Sequence, residues 1–214
     1  MEGELPEGDI VTLPFSDKEL HHLAVRRIRE GEHIAAVAAG GKCWEVEIET
    51  IDEFEATGRC IQEMPLEKLP DLTLVQGISK GDRMGQTIRQ TTELGIGRII
   101  PFLSARTVVR LAVDERGRKG SRWRRIALSA AKQSGRGVIP TVGFLPDLAE
   151  AFNKANATAL PLFMYETGER ETLREAMESP GNIASAAILT GPEGGFEPFE
   201  AELARIMKLH ICSM

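Results

Sequence analysis

The sequence predicts an α/β protein, a parallel sheet with helices on both faces, preceded by a small β-barrel. Three observations carry this. From Asp71 onward, apolar strand-like runs alternate strictly with stretches of helical periodicity, the pattern of a parallel sheet covered on both sides. Before Asp71 the runs are short and β-like, as in a small barrel built from hairpins. With 214 residues, 42% of them hydrophobic, the chain has enough apolar mass for one large domain or two small ones.

In order, DIVTLPF, EHIAAVAA, KCWEVEIETI and TGRCIQEM read as strands, with a short helix around KELHHLAVRRI. The dipeptides at Gly40–Gly41 and Thr57–Gly58 are read as the tight turns between them. Prolines at 65 and 70 mark PLEKLPD as the linker, which divides the chain into residues 1–70 and 71–214. The second part then runs LTLVQGIS (strand), KGDRMGQTIRQTTEL (helix), IGRIIPFL (strand), SRWRRIALSAAKQS (helix) and GVIPTVGF (strand). It continues with PDLAEAFNKA (helix), ATALPLFMY (strand), ERETLREAME (helix), NIASAAILT (strand) and EPFEAELARIMK (helix). Gly95 and Gly135 stand where helices must stop, and Pro198 suits a first helical turn.

No apolar run approaches the roughly 20 residues of a membrane span, and the acidic start MEGELPEGDI is unlike a signal peptide, so a cytoplasmic protein is expected. Cys43, Cys60 and Cys212 lie far apart with no CxxC spacing, which points to neither zinc nor a disulfide framework. His21 and His22 lack a third ligand at suitable spacing, so no metal is expected.

The formal charge of −6 is unevenly spread. Residues 1–79 hold 7 Lys and Arg against 17 Asp and Glu, residues 80–136 hold 14 against 4, and residues 137–214 hold 5 against 11. A zone of +10 between acidic flanks is either a solvated helix face or a surface that meets a polyanion at one defined place.

Cofactor motifs of the common kinds are missing: there is no GxGxxG after the first strand and no GxxxxGK[ST]. What the chain has is LTGPEGGF, Leu189 to Phe196, at the carboxyl end of a late strand, where open α/β sheets place ligands. Positive φ at Gly191, Gly194 and Gly195 would let the backbone grip a flat polar ring at close range. A plain strand-to-helix turn needs only one glycine. A second strand end, LPLFMYE, leaves Tyr165 and Glu166 beside it. Glu166 and Glu193 would favour a cationic ligand, a sulfonium among the candidates, unless both are solvated loop residues.

Four blocks together resemble the RsmE family, bacterial SPOUT-class methyltransferases of uridine N3 in 16S ribosomal RNA. They are KGDRMGQTIRQTTELGIGRIIPFLSARTVVR (Lys80–Arg110), RWRRIALSAAKQSGRGVIPTV (Arg122–Val142), LFMYE (Leu162–Glu166) and LTGPEGGF. HHLAVRRIREGEHI resembles, more loosely, a segment of the family's PUA-like barrel. The resemblance implies a trefoil knot, a homodimer and S-adenosylmethionine held by three loops. Two of these loops would be Leu162, Tyr165 and Glu166, and Leu189, Thr190, Gly191, Pro192, Glu193, Gly194 and Gly195. RNA would be held by His22, Arg26, Lys80, Arg83, Arg106, Arg110, Arg122 and Arg136, with Arg124 and Arg125 divided between helix surface and RNA face. No residue is assigned as the acceptor of the N3 proton. A non-catalytic RNA-binding protein and a small-molecule α/β enzyme are the competing readings, and donor binding and RNA binding separate the three.

Relatives in this family continue from the final strand into a loop resembling LGxRILRxETA and a last helix, whereas this sequence ends KLHICSM. The expectation is a truncated enzyme with an incomplete knot, weak donor binding and little turnover. A natural short variant complete at Met214 is the alternative.

Overall fold

A computed structural model describes residues 10–13, 15–37, 42–65, 70–108, 113–178 and 183–213. The chain divides into two compact units, Met1–Lys68 and Leu69–Met214. Gly40, Gly41, most of the linker and Arg110 lie outside the described residues.

In the first unit β1 (Ile10–Leu13), β2 (His33–Val37), β3 (Cys43–Ile51) and β4 (Ala56–Met64) form an antiparallel sheet in the order β1-β4-β3-β2. The pleat puts Trp44, Val46 and Ile48 of β3 on the core side and Glu45, Glu47 and Glu49 on the other. Helix α1 (Asp17–Val25) closes that core with Leu20. At its start, Ser16 and Glu19 pair through the Ser16 N–H and hydroxyl, which both donate to the Glu19 carboxylate.

Thr57–Gly58 is not a turn. Gly58 lies inside β4, where a Cβ would stand 2.5 Å from Val46 Cγ1 and 2.9 Å from the Glu47 carbonyl oxygen. The glycine is there because β3 crosses too close for a side chain. The chain reverses instead at 52–55, where the Asp52 carboxylate accepts from the Phe54 and Glu55 N–H groups.

The second unit runs β5 (Asp71–Gly77), α2 (Arg83–Glu93), β6 (Arg98–Phe102), α3 (Val113–Ser134), β7 (Thr141–Val142) and α4 (Leu148–Asn156). It continues through β8 (Leu160–Met164), β9 (Glu171–Thr172), α5 (Leu173–Glu178), β10 (Ser185–Thr190), α6 (Pro198–Ile206) and β11 (His210–Ser213). Seven parallel strands stand in the order β7-β6-β5-β10-β8-β11-β9.

Both faces are covered, as the alternation predicts. Val75, Ile100, Phe102, Phe163 and Leu189 pack under α4 and α6 with Phe152, Ala155, Ala201 and Ala204. Their neighbours Leu74 and Ile99 point the other way, onto Met84 and Ile88 of α2 and Trp123 and Ala127 of α3. Gly95 and Gly135 sit at φ +88° and +68°, ending α2 and α3.

This topology fixes where a ligand can sit. From β5 the chain crosses by α2 to β6 on one side, and from the adjacent β10 it crosses by α6 to β11 on the other. The two helices lie on opposite faces, so the carboxyl ends of β5 and β10 diverge from their connections and leave a crevice.

Candidate functional site

The crevice is built from loops following β5, β6, β8 and β10. Its centre is Gln76, a buried amide at the end of β5. The Gln76 amide N–H group donates to the carbonyl oxygens of Gly191 and Gly77, each at 2.9 Å, and its oxygen accepts from the Thr190 hydroxyl at 2.7 Å. The contacts with Gly191 and Thr190 fasten the two strand ends together. Gly77 then passes so close to the second loop that a Cβ would lie 2.5 Å from the Pro192 nitrogen.

The glycine loop owes its shape to two glycines rather than three. Gly195 has φ +69° with open space where a Cβ would project, and its N–H donates to the Pro192 carbonyl at 2.9 Å. Gly191 does not need positive φ. It is required because the loop folds back on it, leaving a Cβ 2.9–3.1 Å from the Gly195 backbone. Gly194 meets neither demand: its φ is not positive, and a Cβ would make ordinary contact with Arg106 at 3.5 Å. The expectation of positive φ at all three positions is therefore corrected, with the strain confined to Gly195.

Side chains from the flanking loops hold this shape. The Glu193 carboxylate accepts from the Lys80 N–H at 3.2 Å. Its own main-chain N–H, then that of Lys80 and the nearby Arg83 charge, hold its pKa below the usual carboxylate value. Arg106 forks onto Glu197, with Nε at 2.8 Å and Nη2 at 3.1 Å from the carboxylate, and its Nη1 donates to the Gly194 carbonyl at 2.8 Å. The guanidinium lowers the Glu197 pKa, and Glu197 raises that of Arg106. Glu200, 1% exposed, accepts from the Ala105 N–H at 2.9 Å and the Glu197 N–H at 2.7 Å. The loop after β6 is thus tied to the loop after β10 through both residues.

The aromatic floor comes from β8 and its loop. Phe163 packs on Phe196, ring centroids 4.3 Å apart, and on Tyr165 at 6.1 Å. The Tyr165 N–H donates to the Cys212 carbonyl, so β11 positions this loop, and Glu166 beyond it is exposed. Leu162 and Leu189 point their side chains into the core, each inside a strand that is paired on both sides.

The basic residues divide. Lys80, Arg83 and Arg122 are exposed on or beside α2 and α3, and Arg122 pairs with Asp82 at 2.8 Å. His22 and Arg26 are exposed at α1 in the other unit. Arg106 braces the glycine loop, its fork occupied by Glu197 and Gly194. Arg136 is partly buried, its Nε donating to the Glu93 carbonyl at the end of α2. Sequence reasoning missed Gln76, Gly77 and Glu200. A polar residue closing a buried strand was the only signal for the first, and Glu200 reads as one more polar position on an amphipathic helix. Among the described residues, no group of three His, Cys, Asp or Glu side chains is placed to hold a metal.

S-adenosylmethionine fits this crevice: Gly195 leaves open the space a Cβ would fill, and the partly exposed Tyr165 flanks it beside the buried Phe163 and Phe196.

The profile of the RNA methyltransferase domain matches residues 67–214. The chain is 29% identical over 206 residues to ribosomal RNA small subunit methyltransferase E of Bacillus subtilis, covering 91% of this chain and 78% of that protein. With the Aquifex aeolicus protein of the same name it shares 26% identity, covering 95% and 85%. The crystal structure of the Neisseria gonorrhoeae ribosomal RNA small subunit methyltransferase E bound to S-adenosyl methionine superposes with a TM-score of 0.81 at 28% identity, over 100% of this chain and 87% of that one. Matched profile, relatives along most of the chain and superposed structure agree: the chain belongs to the RNA methyltransferase domain family and, within it, to the RsmE proteins.

Proposed function

We propose that this protein transfers a methyl group from S-adenosylmethionine to N3 of a uridine in small-subunit ribosomal RNA, using the crevice between β5, β8 and β10. The observation that carries the reading is the glycine loop, fastened by Gln76, Glu193 and Arg106 with its open side at Gly195. Main-chain groups of Thr190, Gly191 and Gly194, with Tyr165 and Pro192, would hold the donor. When bound, the donor supplies an electrophilic methyl on a sulfonium.

Uridine N3 carries a proton at neutral pH and lies inside base pairs, so the protein must receive an exposed base and favour its anion. Lys80 and Arg83, exposed beside the loop, supply positive charge where that anion would form. Alignment of nucleophile and methyl then does most of the work, since direct displacement needs no covalent protein intermediate. The resemblance further supports a homodimer, a trefoil-knotted sheet unit, a PUA-like RNA-binding role for His22 and Arg26, and work in the cytoplasm among ribosomal subunits.

Calorimetry with S-adenosylmethionine and S-adenosylhomocysteine, followed by transfer of labelled methyl to 30S subunits, tests the reading. Binding of both ligands and label in 16S RNA are expected. Absence of donor binding, or label on a base other than uridine, overturns it.

The pH dependence follows from the carboxylates. Glu193 and Glu197 both have lowered pKa values, so their ties are fully made above the ordinary carboxylate value, about pH 4, and are lost as pH falls through the lowered values. Donor affinity should stay flat from about pH 8 to about pH 5 and decline only below about pH 4. A decline centred near pH 6 would assign the control to a histidine instead.

A further inference from the structure

We propose that the cleft between α2 and α3, lined by Arg89, Arg122, Arg125, Ile126 and Ser129, is a seat for the phosphodiester backbone of the RNA strand beside the target base. It rests on the reading of the crevice as a methyl-transfer site for RNA.

The cleft has a volume of about 410 Å³, and its cationic groups converge from two helices instead of lying along one solvated face. On α3, Arg122, Arg125 and Ser129 recur at helical spacing and so share one side. Arg89 faces them from α2. Gly85 lets the helices approach closely, since a Cβ there would lie 3.2 Å from Ile126 Cδ1, and Ile126 forms the apolar floor.

Charge in the cleft is poorly compensated. Asp82 neutralises Arg122, but among the described residues no carboxylate lies within ion-pair distance of Arg89 or Arg125. Among the described residues the Arg125 guanidinium reaches only the Ser121 carbonyl, through Nε at 3.4 Å, and the Arg89 guanidinium makes no hydrogen bond. Two guanidiniums left unpaired beside a serine hydroxyl suit a phosphate, which accepts from planar forks and hydroxyls alike. Arg124, by contrast, turns to the Ser121 hydroxyl on its own helix and does not line the cleft.

Position strengthens the assignment. From Glu193 of the donor loop, contacts pass to the Lys80 N–H, then two residues on to Asp82, and across 2.8 Å to Arg122 at the cleft. A strand with its target base at the crevice would lay its neighbouring phosphates along this line. An extended polyanion, rather than a free nucleotide, is the ligand such a continuous edge selects.

The test is binding of a 16S ribosomal RNA fragment to the full chain across a salt series, with donor affinity measured in parallel. The variant Arg89→Ala/Arg125→Ala should bind more weakly at low salt, and its slope of log K against log salt should be shallower by about 1.4 to 1.8, the release expected for two phosphate contacts. Donor affinity should be unchanged, and Arg89→Lys/Arg125→Lys should recover most of the slope. The matched control Lys154→Ala/Arg174→Ala removes the same charge from exposed positions on α4 and α5 and should leave the slope as it was. An unchanged slope in the cleft variant, or an equal loss in the control, overturns the cleft while leaving the methyl-transfer reading intact. If the parent binds donor but no RNA, both fall.

Discussion

Alanine at Gly77 or Gly191 should weaken donor binding about 10- to 100-fold, while alanine at Gly194 should change it less than about threefold. At Gly191 the added Cβ would meet the Gly195 carbonyl carbon, oxygen and Cα at 2.9, 3.0 and 3.1 Å. At Gly77 it would lie 2.5 Å from the Pro192 nitrogen and 2.6 Å from its Cδ. Backbone and a proline ring cannot swing aside as a flexible side chain does, so the loop itself must move. Overpacking of this kind costs about 1–3 kcal/mol, which sets the range given for affinity. At Gly194 the nearest atoms are Arg106 Cβ and Cδ at 3.5 and 3.7 Å, ordinary contacts that need no displacement. Calorimetry on the three variants, with urea midpoints to follow stability, checks this. Equal losses at Gly191 and Gly194 would mean that the glycines serve flexibility rather than close approach.

The same loop shows how far the sequence could be read. Its glycines and its place at a strand end are local signals, and they located the crevice. Its supports are not local: Gln76 meets Gly191 across 115 positions and Arg106 meets Glu197 across 91. An arginine in a basic block reads as an RNA contact, and no pattern within the block names the carboxylate that it also braces. Secondary structure divides along the same line. The buried strands β5, β6 and β10 announce themselves by continuous apolar runs. Helix α3 begins eight residues earlier than the sequence predicts, at Val113 rather than Ser121. Gly117 and Gly120 hide this turn, since each costs a helix about 0.5–1 kcal/mol relative to alanine. Once Trp123 and Ala127 anchor α3 to the sheet, extension through the glycines is tolerated. The ERETLREAME segment divides for a related reason. Its first residues join β11 as β9, and α5 starts only after Thr172, whose hydroxyl accepts from the Glu175 N–H.

Glu200→Ala should lower stability by about 3–5 kcal/mol and Glu200→Gln by about 1–3 kcal/mol, far more than any exposed acid on the same helix. The Glu200 side chain is buried, and its two oxygens have separate duties: Oε1 accepts from the Ala105 N–H and Oε2 from the Glu197 N–H. Glutamine keeps one acceptor and turns an NH2 group toward the other donor, so one main-chain N–H is left unmatched. Alanine leaves both unmatched and opens a cavity as well. Glu202, two residues on, is exposed and among the described residues pairs only with Arg205 at 3.5 Å, so Glu202→Gln should change stability by less than about 0.5 kcal/mol. The effect should also reach the donor site. Releasing Ala105 frees the loop that carries Arg106, and Arg106 holds the Gly194 carbonyl. Urea denaturation of the three variants gives the stabilities, and donor titration of Glu200→Gln under conditions where it remains folded gives the coupling. A Glu200→Gln protein with parental stability and parental donor affinity would show that the two N–H groups find other acceptors, and would remove Glu200 from the support of the glycine loop.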